Sequence, residues 1–405
     1  MFSLLPDPPD PALRQPFTPA AVVPLYLSFY ALGVLAMLPN TFVLKLSLLP
    51  FIVWQAWCCA VGLDLSIWLA QSVGHPNGDR LRFWNMSFVI SMFFIALRSL
   101  EWTFIKKPLR KYELIEGQDA PVERQLSIPN VLLAAVDLFC NQRGIGWSWS
   151  PNHFPRESGP PLSIASVWAT LLLKLTALDT SLYIIQSLCP STNDPGGGTL
   201  FDPSLPPFPR IARAALSAVC GGVWSYTLVD SMYHIATLIG RVLLRQPASQ
   251  WPRLTHRPWL STSIRDFWSI RWHQFFRHFF VVFGARPGGA LFGLPGAVMG
   301  AFTMSGLIHY LGLWGVGYGT EFTTSGGFFL LMGLGVIIED VFKRATGLPV
   351  QGWLGWSWTM SWTLVWGTLL LDGWARHGIL ASDFFPDRLR PGKLLVDSAI
   401  SLLNR

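Results

Sequence analysis

The chain has 405 residues, of which 51% are hydrophobic and only 13% charged, with a positive mean hydropathy and a formal net charge of +7. Soluble domains carry about 25% charged residues, so the balance excludes a soluble enzyme with one anchor and indicates a polytopic membrane protein. The basic excess fits an anionic lipid or cofactor; with no zinc-ligand, heptad or soluble basic-domain pattern beside it, it argues against nucleic acid.

Residues 1–19 form a proline-rich tail carrying Asp7, Asp10 and Arg14. They lack a basic segment followed at once by an apolar core, so no cleaved signal peptide is expected, and the first span serves as an uncleaved insertion signal. A helix needs about twenty apolar residues to cross a bilayer. Candidate spans are 20–38, 42–63, 84–104, 164–187, 211–240, 292–316, 326–342 and 356–374. An open sheet cannot span hydrocarbon. The expectation is therefore an all-α polytopic bundle of about eight transmembrane helices, organised as a single domain over 1–405. The 20 Trp suit the many water–lipid boundaries of such a protein. No internal repeat of the kind that marks secondary transporters is visible.

Two connections hold most of the charge. Residues 105–162 carry Lys106, Lys107, Arg110, Lys111, Arg124, Arg143 and Arg156, and residues 241–291 carry Arg241, Arg245, Arg253, Arg257, Arg265, Arg271, Arg277 and Arg286. Two spans separate these loops, so they share a side, which the positive-inside rule makes cytoplasmic. The Pro/Gly-rich connection 189–210 and the short connection 317–325 fall on the other side. The C-terminal tail dissents, because Arg376, Arg388, Arg390 and Lys393 then lie away from the cytoplasm. Either the span count is off by one or the tail folds back, with 394–405 as a short interfacial helix.

Within the first loop, Arg143 precedes Gly144-Ile145-Gly146-Trp147. A bare GxG is weak evidence for phosphate binding, and by itself this reads as an aromatic turn at the membrane surface. In Ser263 to Phe280, the sets Arg265, Trp268, Trp272 and Arg271, Phe275, His278 fall near helical spacing. This predicts a surface helix with aromatic and cationic faces. It is either a generic interfacial helix or one whose arginines grip phosphates, with His273 placed to polarise a carbonyl or orient a substrate. From Phe292 to Val316 the only basic side chain is His309. An imidazole in hydrocarbon needs a partner or a wet cavity. Ser305 lies one turn earlier on the same face, and Gly306 leaves space beside it. The alternatives are a helix-joining histidine and a general base that takes the proton of an attacking alcohol, worth typically about 10²–10⁴-fold.

Arg98 with Glu101, Glu339 with Lys343, and Asp340 with Arg344 read as structural pairs on single helix faces. Lys174, Asp179 and His234 have no evident role, and any of them can line a tunnel. Cys58, Cys59, Cys140, Cys189 and Cys220 form no CxxC pair and read as small buried apolar residues rather than a disulfide or metal framework.

Three elements in order carry a family resemblance. They are Arg143-Gly144-Ile145-Gly146-Trp147, then Phe267-Trp268 with Arg271-Trp272-His273-Gln274 and Arg277, then Ser305-Gly306-Leu307-Ile308-His309. Together with Arg98 and Glu101-Trp102, they make the chain resemble the membrane-bound O-acyltransferase family, in its wax-synthase-like branch of fungal secondary-metabolite acetyltransferases. The resemblance covers most of the chain from the third span to the eighth. It implies a helical bundle enclosing a catalytic chamber, in a multi-pass protein of the endoplasmic reticulum. Acetyl-CoA or another acyl-CoA is the implied co-substrate, with no metal, and a hydrophobic alcohol such as a terpenoid is the implied acceptor. His309 becomes the general base, His273 a supporting catalytic residue, and Arg271, Trp272, Gln274, Arg277 and Arg143 the candidate donor-binding residues. Two positions depart from the branch. Ser269-Ile270-Arg271 stands where Gly-Arg-Arg is usual before Trp-His, and Tyr310 replaces the acid that often follows the buried histidine. A long-chain wax-ester synthase, and a non-catalytic transporter or lipid-binding protein, are the alternatives.

Overall fold

The computed structural model describes residues 10–113, 122–124, 127–150, 162–317, 319, 321–386 and 389–403. Asp7, Arg156 and Arg388 lie outside them. The helices in chain order are α1 (Pro19–Met37), α2 (Phe42–Gly62), α3 (Leu65–Val73), α4 (Arg82–Phe104), α5 (Ile128–Cys140), α6 (Ile164–Leu188) and α7 (Pro207–Leu238). They continue with single turns α8 (Ile264–Asp266) and α9 (Arg277–Phe279), then α10 (Arg286–Val316), α11 (Phe322–Thr346), α12 (Gly352–Arg376) and α13 (Pro391–Leu403). Among the described residues, strand is confined to the two-residue parallel pair β1 (Gln15–Pro16) and β2 (Leu63–Asp64), and the antiparallel pair β3 (Lys111–Glu113) and β4 (Val122–Arg124).

All eight expected spans are long helices with ends within a few residues of the sequence reading. Apolar runs of spanning length satisfy their own backbone groups only as helices, and local caps set several ends. Thr18 Oγ1 accepts from the Ala21 amide at the start of α1, and Ser163 Oγ accepts from the Ser166 amide at the start of α6. Among the described residues, six helical segments are long and apolar enough to cross a membrane; α7 and α12 are long but more polar. Their polarity is turned inward: Ser217, Thr227, Asp230, Ser231 and Thr237 of α7, and Thr359, Thr368 and Asp372 of α12, are buried.

The second basic loop departs from expectation in two ways. Its last third is not loop. Residues from Arg277 to Leu291 are helical and fold back antiparallel on the main length of α10, with a break at Phe292 and Gly293, where Gly293 takes φ +62°. Glycines make this hairpin possible. A Cβ on Gly284 would stand 2.3 Å from the Gly300 carbonyl oxygen, and one on Gly288 2.2 Å from that of Gly296. Arg277, Arg286 and Pro287 disguise the segment as a connection.

The other departure is the expected continuous surface helix over 263–280. Instead α8 passes into a π-helical turn (Phe267–Arg271), Trp272 turns extended, and a bend leads to α9 and a second π-helical turn (Phe280–Ala285). The reason is aromatic burial. Trp268 packs edge-on against Phe302, Phe328 and Phe329 of α10 and α11. Its aromatic face is drawn between these helices, so the segment dips into the bundle and returns. Glu339 secures the entry: rather than pairing with Lys343, it accepts the Ile264 and Arg265 amides at 2.6 and 3.1 Å. Asp340 does pair with Arg344, at 2.8 Å.

The tail folds back. Arg390 donates to Asp179 at 2.9 Å, and Tyr183 to Asp397 at 2.8 Å, docking α13 on α6. Arg376 is neutralised by Asp372 at 2.7 Å. Arg376 and Arg390 are thus held by acids, and this gives Asp179 its role. The cysteines are free; Cys59 and Cys189 are buried as expected, whereas Cys140 is exposed at the end of α5.

Candidate active site

The bundle encloses a cavity of about 1410 Å³ lined from α1, α4, α5, α6, α7, α10, α11, α12 and the re-entrant segment. Its wall runs from Phe83 and Trp374 at one end of the bundle to Pro258 and Arg265 at the other. Apolar side chains dominate it. The charged residues on the wall, among those described, are Lys174, Arg265 and Arg277.

His309 and His273 both line this cavity. α10 presents His309 on the face that also carries Ser305 and Phe302. Gly306 lets α11 approach closely, since a Cβ there would stand 3.0 Å from the Gly326 carbonyl oxygen. That approach brings Phe329 under the imidazole, stacked at 4.5 Å and 15°, with Trp374 at 6.1 Å beyond. Flat aromatic packing holds the ring. Its Nδ1 is buried with no partner among the described residues, so the helix-joining alternative finds no support. Tyr310 points away and packs edge-on against Phe322.

His273 sits in the bend between Trp272 and α9, a depth that a continuous surface helix would never give it. Its Nδ1 is likewise buried without a partner among the described residues. Phe276, three residues on, stacks on Phe94 of α4 at 4.1 Å and 7°, fixing the floor of the bend.

The expected donor-binding residues divide. Trp272, Gln274 and Arg277 line the cavity. Trp272 stacks on Phe267 at 5.4 Å. Gln274 donates to the Trp272 carbonyl at 2.8 Å and leaves its Oε1 buried and unpartnered. Arg277 is exposed at the wall and has no ion pair or hydrogen bond among the described residues. Arg271 and Arg143 are outside the lining. Arg271 donates to Asp266 at 2.6 Å and to the His256 carbonyl at 3.3 Å. Arg143 donates to the Tyr233 hydroxyl at 2.8 Å and the Pro252 carbonyl at 2.7 Å. Each ties chain segments together, and neither is presented to the chamber.

Several wall residues escaped sequence reasoning. Phe329 and Trp374 read as ordinary core aromatics, and no local pattern distinguishes a ring under a histidine from one in a core. Lys174 was visible as a lone charge in a span. It pairs with Asp230 of α7 and lies over Tyr226 at 5.5 Å. His234 bonds the Asp230 carbonyl one turn back, at 2.7 Å, and stays outside the chamber.

Residues 251–331, which hold the re-entrant segment and His309, match the family described as Membrane bound O-acyl transferase family. The chain is similar to the O-mevalon transferase macI of Penicillium terrestre, 27% identical over 295 residues, or 65% of this chain and 66% of that protein. It is also 27% identical over 278 residues to the O-mevalon transferase yanI of Aspergillus niger, covering 59% and 61% of the two chains. The acetyltransferase eriL of Hericium erinaceus is 29% identical over 178 residues, 40% of this chain and 46% of that one. The match thus spans less than two-thirds of the length of these relatives. No solved structure matches the chain.

Proposed function

Taking the chain as a relative of the membrane-bound O-acyltransferases, we propose that it is an integral membrane O-acyltransferase acting as one catalytic unit over 1–405. It moves an acyl group, acetyl in the first reading, from acyl-CoA to a hydroxyl of a hydrophobic small molecule. A terpenoid or related secondary metabolite is the preferred acceptor, and the endoplasmic reticulum the preferred membrane.

One observation carries this: His309, held flat on Phe329, lines a large apolar chamber with its Nδ1 unpartnered among the described residues. A base in that position takes the acceptor's hydroxyl proton as the oxygen attacks the thioester carbonyl. The carbon–oxygen bond forms, the carbon–sulfur bond breaks, and the proton leaves with the coenzyme thiol. No acyl-enzyme is required, because the thioester is already activated. His273 supports the reaction from the facing bend by donating to the carbonyl oxygen as charge develops there. The formal charges on the chamber wall are all positive, which suits an anionic donor, and the apolar remainder suits a greasy acceptor.

The names of two relatives, both O-mevalon transferases, favour a second reading of the acyl group alone: a mevalonate-derived acyl thioester in place of acetyl. The deciding experiment gives microsomes bearing the protein radiolabelled acetyl-CoA, or the mevalonyl or palmitoyl thioester, with a panel of terpenoid alcohols. Ester formation is expected with a short donor, with at least about a hundredfold loss in His309→Ala. Transfer that survives His309→Ala overturns the assignment of the base. Absence of transfer with every donor overturns the reading as a whole.

A further inference from the structure

The bend that carries His273 is bolted to α4 by a buried polar unit. Arg98 Nη1 donates to Glu101 Oε2 at 2.6 Å, and His278 Nε2 closes on the other oxygen of the same carboxylate. Arg98 Nη2 donates to the Gln142 carbonyl at 3.2 Å. The guanidinium lies between two rings, Trp149 at 4.0 Å and Phe279 at 4.3 Å, and Trp149 also meets the His278 ring edge-on at 4.6 Å. The glycine turn completes the socket. Gly144 has φ +69°, and a Cβ on it would stand 2.6 Å from the Trp149 ring. Three segments distant in sequence therefore meet around the Arg98 guanidinium: the end of α4, the turn over 141–150, and the returning limb of the re-entrant segment.

We propose that Arg98, Glu101 and His278, seated on the Gly144–Trp149 turn, are positioning residues that set the depth and rotation of the His273 bend. None of the three is on the chamber wall, so they act through His273, five residues from His278, and not on substrate. The chemistry favours a rigid unit. A buried carboxylate held by an arginine on one oxygen and an imidazole on the other cannot lose its arginine without stranding charge, and planar arginine–carboxylate contacts fix orientation as well as distance. A site that must hold geometry needs such outer support. The glycine turn thereby acquires a purpose that its weak likeness to a phosphate loop did not supply.

The catalytic arm of the test rests on the acyl-transfer reading. Glu101→Gln keeps the shape and removes the charge; kcat is expected to fall about tenfold to a hundredfold, with both KM values close to wild type. Gly144→Ala, which displaces Trp149 without touching a charge, is expected to give the same pattern. In a His273→Ala background Glu101→Gln should cost nothing further, because the two act in series. Losses that add in the double variant, or an unchanged kcat in Glu101→Gln, overturn the proposal. A second arm is independent of turnover. Hydrogen–deuterium exchange of purified protein should quicken about tenfold over 272–276 in Glu101→Gln while α1 and α2 are unaltered. Unchanged exchange there overturns the proposal even if the wild type transfers nothing, an outcome that separately defeats the acyl-transfer reading.

Discussion

Two arginines of one short segment show how far a residue's type is from its task. Arg271 and Arg277 are both cationic, both near His273, and indistinguishable by spacing. Folding gives Arg271 to Asp266 and the His256 carbonyl and leaves Arg277 exposed at the chamber wall. If the donor's phosphates are gripped there, Arg277→Ala should raise the donor KM by about tenfold, the loss of one charge-assisted contact, with the acceptor KM unchanged. Arg271→Ala should instead loosen the π-helical turn and lower thermal stability. Initial rates across an acyl-CoA series separate the two, and equal donor KM values in both variants would remove the phosphate role of Arg277. His309 follows the same logic from the other side. Its oddity in a span was legible, but the flat packing on Phe329 that fixes it was not, because that contact joins α10 to α11.

Among elements, the hairpin formed by 277–291 and the rest of α10 determines how the site is built. Its two limbs approach at Gly284 with Gly300 and at Gly288 with Gly296, where backbone meets backbone. Packing this close in a membrane relies on small residues and van der Waals contact. Gly288→Leu should force the limbs apart at a cost of about 1–3 kcal/mol, read as a lower melting temperature in detergent together with lost activity. A variant that melts like the wild type would show that the limbs are not tightly packed. The re-entrant geometry was beyond sequence reasoning for a physical reason. Helical periodicity over 263–280 is real, yet it reports only which side chains share a face. Whether that face meets lipid headgroups or the interior depends on Phe302, Phe328 and Phe329 waiting on other helices.

At the scale of the whole molecule, helices from α4 to α12 close around one cavity that reaches from Trp374 to Arg265. Gly367 of α12 lies on its wall, and a Cβ there would meet only the Phe328 ring, at 4.0 Å. Gly367→Trp should therefore fold normally and fill part of the chamber. Bulky alcohols should lose turnover by about tenfold or more while small alcohols keep theirs, since a crowded apolar pocket discriminates by volume. Parallel losses for all acceptors would mean that the cavity is not where they bind. Much of this architecture was readable in advance. The spans, the charge of the two long connections and the lone histidine at 309 follow from hydrocarbon's intolerance of charge and of unpaired backbone, which marks each segment by itself. What only the tertiary structure decided were relations between segments: His273 and His309 on one cavity, Arg390 on Asp179, Arg143 on Tyr233, and Arg98 with His278 on Glu101. Such pairings depend on close packing among residues tens to hundreds of positions apart, and a chain's local pattern carries the polarity of each partner but not the identity of the one it meets.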